Sequence, residues 1–316
     1  MKIRLGYVAN ALRLKDCSPS KTITVKQIDK ITEYNDRISR LTTISRQNLE
    51  NTLRILKANL YDGISVYRFS SKLIPLCTHP HFCAWDYVSS LQEELKEIGR
   101  FVQANQMRVS LHPDHFTLLN SPHPEVLEAS LRDLDYHVKI IEGMGLGFET
   151  KLVLHVGGKY QDRAQAVARF KEGFATLPPS IKDRLTLEND DRSFTAREVL
   201  EICEELHIPM VLDLHHHHIL NNGEELSTLL PAIFRTWPDL PPKVHISSPR
   251  QAKNPRYHAD YIEVDMVIAF LEITKDLKQD FDLMLEAKKK DLALLKLADD
   301  LKARGYSLPT AGEILF

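Results

Sequence analysis

The strongest constraint on the fold is a recurrence. Short runs rich in β-branched and other apolar residues alternate with longer amphipathic stretches about eight times along the chain. The strand-like runs are 3–10, 64–70, 108–114, 151–158, 185–190, 209–215, 243–248 and 283–288. Between them, helices are predicted at 45–60, where Leu49, Leu53, Leu56 and Leu60 share a face, and at 86–106, 124–145, 161–177, 195–207, 224–235, 261–275 and 290–304. Pro124 opens the third of these at a position suited to the first helical turn. Eight strand–helix alternations argue for an α/β fold of the (β/α)8 TIM-barrel type over an open sheet, and 316 residues accommodate one such barrel with insertions.

No linker or shift in composition marks a second domain, so residues 1–316 are expected to form a single TIM-barrel domain. The first βα connection, 11–44, breaks the regularity. It is long, carries many basic residues and is expected to be partly ordered by a short helix of its own. Connections of that length in compact domains are often functional.

A hydrophobic content of 43% with 27% charged residues is that of an ordinary globular chain and argues against disorder. No run of about 18 apolar residues occurs, so no membrane span is expected. Four scattered cysteines, Cys17, Cys77, Cys83 and Cys203, do not suggest a disulfide framework, which makes the reducing cytoplasm the expected compartment. A net charge of −2 neither requires nor excludes nucleic acid, so any basic patch must be local. No Gly-rich phosphate fingerprint follows a strand, and no nucleotide cofactor is expected.

In such barrels the chemistry sits at the C-terminal ends of the strands. Read in order, those ends supply Tyr7 and Asn10, Arg68, His112, His155, Glu188, Asp213 followed by His216, then His245, and Glu286. Carboxylates converging in one mouth would repel and raise one another's pKa, and a divalent metal resolves that repulsion. Imidazole and carboxylate without thiolate suit Mn2+ or Zn2+, and so many ligands suit two or three ions sharing a carboxylate.

Asp213 is followed by four consecutive histidines, His215 to His218, which cannot all point inward. Strand alternation favours His215, whereas a turn after Leu214 would aim His216 or His217. His218 reads as surface. Lys243, two residues before His245, shares its inward face and is expected to be a buried ammonium, a phosphate contact or a carbamate ligand. Within 247–260, Arg250, Lys253 and Arg256 stand with Tyr257 and His258, a combination of bases and an aromatic that suits a stacked polyanion. The segment 77–83 has two cysteines and two histidines but not a standard zinc-ligand spacing.

Taken together, the motifs RLGYVAN (4–10), YRFSSKLIPLCTHP (67–80), SLHPDHFTLLNSP (110–122), LVLHVGGKYQDR (152–163), LTLENDDRSFT (185–195), DLHHHH (213–218), VHISS (244–248) and LEAKKKD (285–291) resemble the UV damage endonuclease family over essentially the whole chain. The fold is similar to that of type IV apurinic endonucleases and xylose-isomerase-like barrels.

The resemblance implies a DNA repair endonuclease that initiates excision by cutting the backbone immediately 5′ of cyclobutane dimers and 6-4 photoproducts, and also at abasic sites, with metal-activated water. It implies His112, His155 and Glu188 around one ion, Glu188, Asp213, His245 and Glu286 around a second, and His216 with His258 around a third. It gives Glu188 and Lys243 catalytic roles and places Tyr7 and Asn10 in the lesion pocket. The partner would be double-stranded DNA carrying UV lesions, bound by a monomer. Where the family has a Gln–aromatic pair that probes the duplex, this chain has His115 and Phe116. Phe116 retains a wedge, while His115 is a shorter and titratable group.

Overall fold

A computed structural model describes residues 1–251 and 253–316. Its strands are β1 (Lys2–Val8), β2 (Val66–Arg68), β3 (Arg108–Leu111), β4 (Lys151–His155), β5 (Leu185–Glu188), β6 (Met210–Asp213), β7 (Lys243–Ile246), β8 (Pro249–Gln251), β9 (Asn254–His258), β10 (Phe281–Leu285), β11 (Ser307–Thr310) and β12 (Glu313–Leu315). The helices are α1 (Val25–Ile28), α2 (Tyr34–Tyr61), α3 (Tyr87–Ser90), α4 (Gln92–Ala104), α5 (Pro124–Gly143), α6 (Arg163–Thr176), α7 (Pro179–Lys182), α8 (Ala196–Leu206), α9 (Leu214–Ile219), α10 (Leu226–Arg235), α11 (Val264–Thr274) and α12 (Lys290–Ala303).

Strands β1 to β7 and β10 pair in parallel, and β10 returns to β1 from Ile3↔Phe281 to Tyr7↔Leu285, closing an eight-stranded α/β TIM barrel. Because β2 meets β1 only from Gly6↔Val66 to Val8↔Arg68, the lower edge of β1 is left open. The C-terminal hairpin β11–β12 covers it, with β12 antiparallel to β1 at Lys2↔Leu315 to Arg4↔Glu313. Capping that edge removes a row of unpaired backbone groups. The hairpin turn fits against the chain entering β2 because position 312 is glycine: a Cβ there would lie 2.4 Å from the carbonyl oxygen of Gly63.

The expected helices are present, most with trimmed ends and the one expected at 86–106 divided at Leu91 into α3 and α4, and three further features differ from the sequence reading. Helix α2 begins at Tyr34. Its first turns are rich in Ser and Thr, which disfavour helix when their hydroxyls compete for the backbone, yet here Thr42, Thr43 and Ser45 bond the carbonyls of Ile38, Ser39 and Leu41 within the helix. The tetrahistidine segment is itself a helix, α9, N-capped by Asp213, whose Oδ1 accepts from His216 N at 2.8 Å. Residues after Ser248 form the hairpin β8–β9.

The first connection is tied to α2 by buried asparagines. Asn48 accepts from Lys21 N at 2.8 Å and donates to Leu73 O at 3.0 Å, and Asn51 donates to Ser18 O at 2.8 Å. The short helix α1 lies within this connection, closed by a Thr24–Gln27 capping box.

Strand parity then decides what faces the barrel axis. Arg4, Arg108 and Asp282 meet inside, with Asp282 accepting from Arg4 Nε at 2.7 Å and Arg108 Nη1 at 2.6 Å. Four residues further along the same faces of β3 and β10 come His112 and Glu286, groups of the mouth. No helix among the described residues is long and apolar enough to cross a membrane.

Candidate metal centre and DNA-facing rim

Glu188 ends β5, is 1% exposed and lies at the centre of the mouth. Its Oε2 is 3.1 Å from His112 Nε2 and 3.7 Å from His155 Nε2. Its Oε1 is 2.9 Å from His245 Nδ1 and 3.7 Å from His216 Nδ1. One carboxylate therefore belongs to two groups whose potential ligand atoms lie within 4.8 Å of one another: His112, His155 and Glu188, and Glu188, Asp213, His245 and Glu286. Although burial works to raise its pKa, the imidazoles of His245, His155 and His112 hold Glu188 well below the usual carboxylate range. Glu286 is also held low against burial, chiefly by Arg68, whose Nη1 lies 2.5 Å from Glu286 Oε1. Asp213 lacks such a cation: burial, with Glu188 and Glu286 adding to it, raises its pKa despite His216.

Four imidazoles are oriented alike. His112 Nδ1 donates to Pro113 O at 2.8 Å, His155 Nδ1 to Glu188 O at 3.3 Å, His216 Nδ1 to Asn189 O at 2.9 Å and His258 Nδ1 to Glu286 O at 2.7 Å. A carbonyl only accepts, so each Nδ1 carries a proton, which leaves Nε2 as the nitrogen a metal takes once it displaces any proton there. Asp213 Oδ2 and His245 Nε2 are buried without a hydrogen-bond partner among the described residues. Unpaired buried polar atoms are costly, and divalent cations would satisfy both. The donor set fits metal.

Helix α9 disperses the four histidines around its axis. His216 turns toward Glu188 and Asp213, with Nδ1 3.8 Å from Asp213 Oδ2, and these carboxylates raise its pKa to about 9 against the effect of burial. His215 packs edge-on against His258 at 5.3 Å between ring centroids, and burial followed by the charges of His258 and His216 lowers it to about 4. His217 is buried away from the two ligand groups, and His218 is exposed. His216 and His258, expected to share an ion, are absent from both groups, and His258 Nδ1 sits 3.9 Å from Glu286 Oε2.

Lys243 lies beneath this layer, 1% exposed, its Nζ donating to Ser110 Oγ at 3.0 Å. Burial, then the nearby Arg108, lower its pKa to about 7. A substrate phosphate does not reach a group so enclosed, which removes the phosphate-contact expectation.

Tyr7 departs from its expected place. Arg4, Gly6 and Val8 share the inward parity of β1, so Tyr7 points outward to the helices, fully buried, its hydroxyl donating to Asn59 Oδ1 on α2 at 2.5 Å. Asn10 instead lines a cleft of about 410 Å3 with Leu12, Asp16, Ser18 and Lys21, and its Oδ1 is enclosed and unpaired. His115 and Phe116 are exposed on the loop after β3, with Phe116 54% accessible and the two rings 6.0 Å apart. Arg250 and Lys253 are exposed on the β8–β9 hairpin, and Arg256 Nε pairs with Asp191 at 3.3 Å. Position 252 of that loop lies outside the described residues. Arg68, noted at a strand end without a role, proves to be the counter-ion of Glu286; its inward parity in β2 was the available signal.

The model of the family UV-endonuclease UvdE matches residues 3–315. The chain belongs to the UvdE family. It is 43% identical over 305 residues to the UV DNA damage endonuclease of Bacillus cereus (strain B4264), covering 96% of each chain. The crystal structure of SacUVDE superposes with a TM-score of 0.86 at 35% identity, covering 96% of this chain and 99% of the other. Endonuclease IV from Thermus thermophilus, at 14% identity, shares the fold with a TM-score of 0.52, over 95% of this chain and 97% of its own. Membership of the UvdE family makes the protein an endodeoxyribonuclease of DNA repair that acts on UV damage. The buried His and carboxylate cluster is where such an enzyme would hold divalent metal.

Proposed function

We propose that this UvdE-family nuclease cuts the phosphodiester backbone immediately 5′ of cyclobutane pyrimidine dimers and 6-4 photoproducts, and at abasic sites, using two or three divalent ions, with Mn2+ favoured over Zn2+. The observation that carries the metal reading is the position of Glu188, one carboxylate shared by two ligand groups. Bound ions would supply polarisation of water and of the phosphate oxygens.

The remaining work falls to the chain. Main-chain acceptors engage Nδ1 of His112, His155 and His216 and leave Nε2 as the ligand nitrogen. His258 does the same from the base of the β8–β9 hairpin. Asp213, His245 and Glu286 complete the second group, with Arg68 keeping Glu286 ionised. Lys243 acts from below by balancing the carboxylates, or as a ligand if its amine is carbamylated. Phe116 enters the stack beside the lesion, with His115 bonding the exposed bases, and unstacking costs least at a damaged pair. Asn10 contacts the displaced nucleotide, and Arg250, Lys253 and Arg256 contact backbone phosphates. We further propose a monomeric single domain acting in the cytoplasm, a compartment consistent with four free cysteines.

The deciding experiment incubates the protein, with and without Mn2+, on a duplex carrying one cyclobutane dimer beside an undamaged control. A single Mn2+-dependent nick 5′ of the dimer is expected. Cutting elsewhere, or equal cutting of both duplexes, overturns the proposed position and lesion dependence.

A further inference from the structure

The β5–β6 ladder stops at Glu188↔Val211, two residues short of Asp213. Beyond that point a side chain takes over. Asn189 is fully buried, and its Oδ1 accepts from Asp213 N at 2.8 Å while its Nδ2 donates to Asp213 O at 3.0 Å. The amide thus replaces the pair of backbone bonds that a further ladder residue would make. Asp213 then caps α9 through His216 N, and the His216 ring returns to Asn189 O at 2.9 Å. Three residues form a closed circuit: Asn189 side chain to Asp213 backbone, Asp213 side chain to His216 backbone, His216 ring to Asn189 backbone.

We infer that Asn189 is a positioning residue which sets Asp213 and His216 as one rigid unit of the metal centre. The inference rests on the metal reading above. Both polar atoms of the Asn189 amide are committed to the Asp213 backbone. Asn189 acts through its neighbours by fixing where Asp213 Oδ2 and His216 Nε2 stand. His112 and His155 are held instead by Pro113 and Glu188, outside the circuit. Outer partners of ligands typically alter metal affinity by about 10- to 100-fold. An amide is suited to the task because it both donates and accepts in one plane. Aspartate would keep the acceptor, lose the donor and add charge beside Asp213.

The test is calorimetric titration of the full chain with Mn2+ alone, comparing wild type with Asn189→Ala and Asn189→Ser, together with a double-mutant cycle. Asn189→Ala is expected to lower Mn2+ affinity by about 10- to 100-fold. Combined with His216→Gln the loss should be less than multiplicative, whereas with His155→Gln the losses should multiply. Electron paramagnetic resonance of bound Mn2+ should broaden in Asn189→Ala, a change that loss of global stability alone would not produce. If Asn189→Ala does not fold, Asn189→Ser, which fits the space and lacks the paired amide, answers the same question. Unchanged affinity in both variants, or losses that multiply equally with both histidine variants, overturns the inference. Absence of Mn2+ binding by wild type overturns the metal reading, and this inference with it.

Discussion

Glu188 Oε1 and His245 Nδ1 stand 2.9 Å apart, both buried, while Glu188 Oε2 reaches His112 Nε2 at 3.1 Å on its other side. A single side chain thus spans the mouth from β3 to β7. Glu188→Gln keeps the shape but removes the negative charge common to both ligand groups. Lesion cleavage at saturating Mn2+ should fall by more than about 100-fold, beyond the usual effect of an outer partner, with bound metal reduced in proportion. Elemental analysis of the purified variant beside wild type provides the check, and full metal content with full activity would rule the shared role out.

Among the four consecutive histidines only one should matter to metal. His216→Ala is expected to weaken Mn2+ binding, whereas His218→Ala, at an exposed position, should leave it within twofold. His215→Phe fills the buried space against His258 without a nitrogen and should likewise retain metal. Titration of the three variants side by side distinguishes these outcomes.

The pH dependence of the metal-free protein has a definite sign at His216. Against burial, Asp213 and Glu188 raise its folded-state pKa to about 9, above the unfolded value of about 6.5. The stabilisation is therefore complete below pH 6.5 and lost as pH rises through 9. Lys243, lowered to about 7, works in the opposite direction above neutrality, so the difference between wild type and His216→Gln is the informative quantity. That difference in Tm, measured with chelator present, should be largest near pH 6 and should vanish by about pH 10. Mn2+ binding at pH 7 should release a proton, visible as a buffer-dependent heat.

Phe116→Ala should reduce affinity and cutting on intact dimer-containing duplex by about 1–3 kcal/mol, the usual contribution of an aromatic stacked on a base. Mn2+ affinity should stay the same, since the ring is exposed and carries no ligand atom. Equal binding and cutting by variant and wild type would remove the wedge.

Asp291, at the start of α12 and fully buried, accepts from Leu12 N at 2.7 Å, Arg13 N at 3.3 Å and Arg13 Nε at 3.1 Å. Asp291→Ala should lower stability by about 1–3 kcal/mol and expose the first connection to protease before the barrel unfolds. Limited proteolysis with mapping of the first cut checks this, and initial cleavage elsewhere would count against the anchor.

Much of this was legible in the chain. Period-2 parity placed His112, His155, Glu188, Asp213, His245 and Glu286 at equivalent strand ends, and closure of the barrel made those ends converge. The same parity, applied to β1, turns Tyr7 outward, since Arg4 faces Asp282, so its place at a strand end is no guide to the mouth. The tetrahistidine stayed ambiguous for a physical reason. Whether the chain continues as strand or turns into helix after Asp213 depends on a local cap from Asp213 to His216 N and on an amide from Asn189, 24 residues away, and the second is a tertiary relationship.

The sequence by itself determined the barrel, the rim on which the chemistry gathers and, through ordered motifs, the family. Periodicity and residue type are local properties that survive in a linear reading. The tertiary structure decided which histidine of four turns inward, which nitrogen each imidazole presents, that Arg68 neutralises Glu286 and that Lys243 is sealed below the site. Those outcomes depend on hydrogen bonds between strands up to 218 residues apart, as for Arg68 and Glu286, and on burial that no single segment carries.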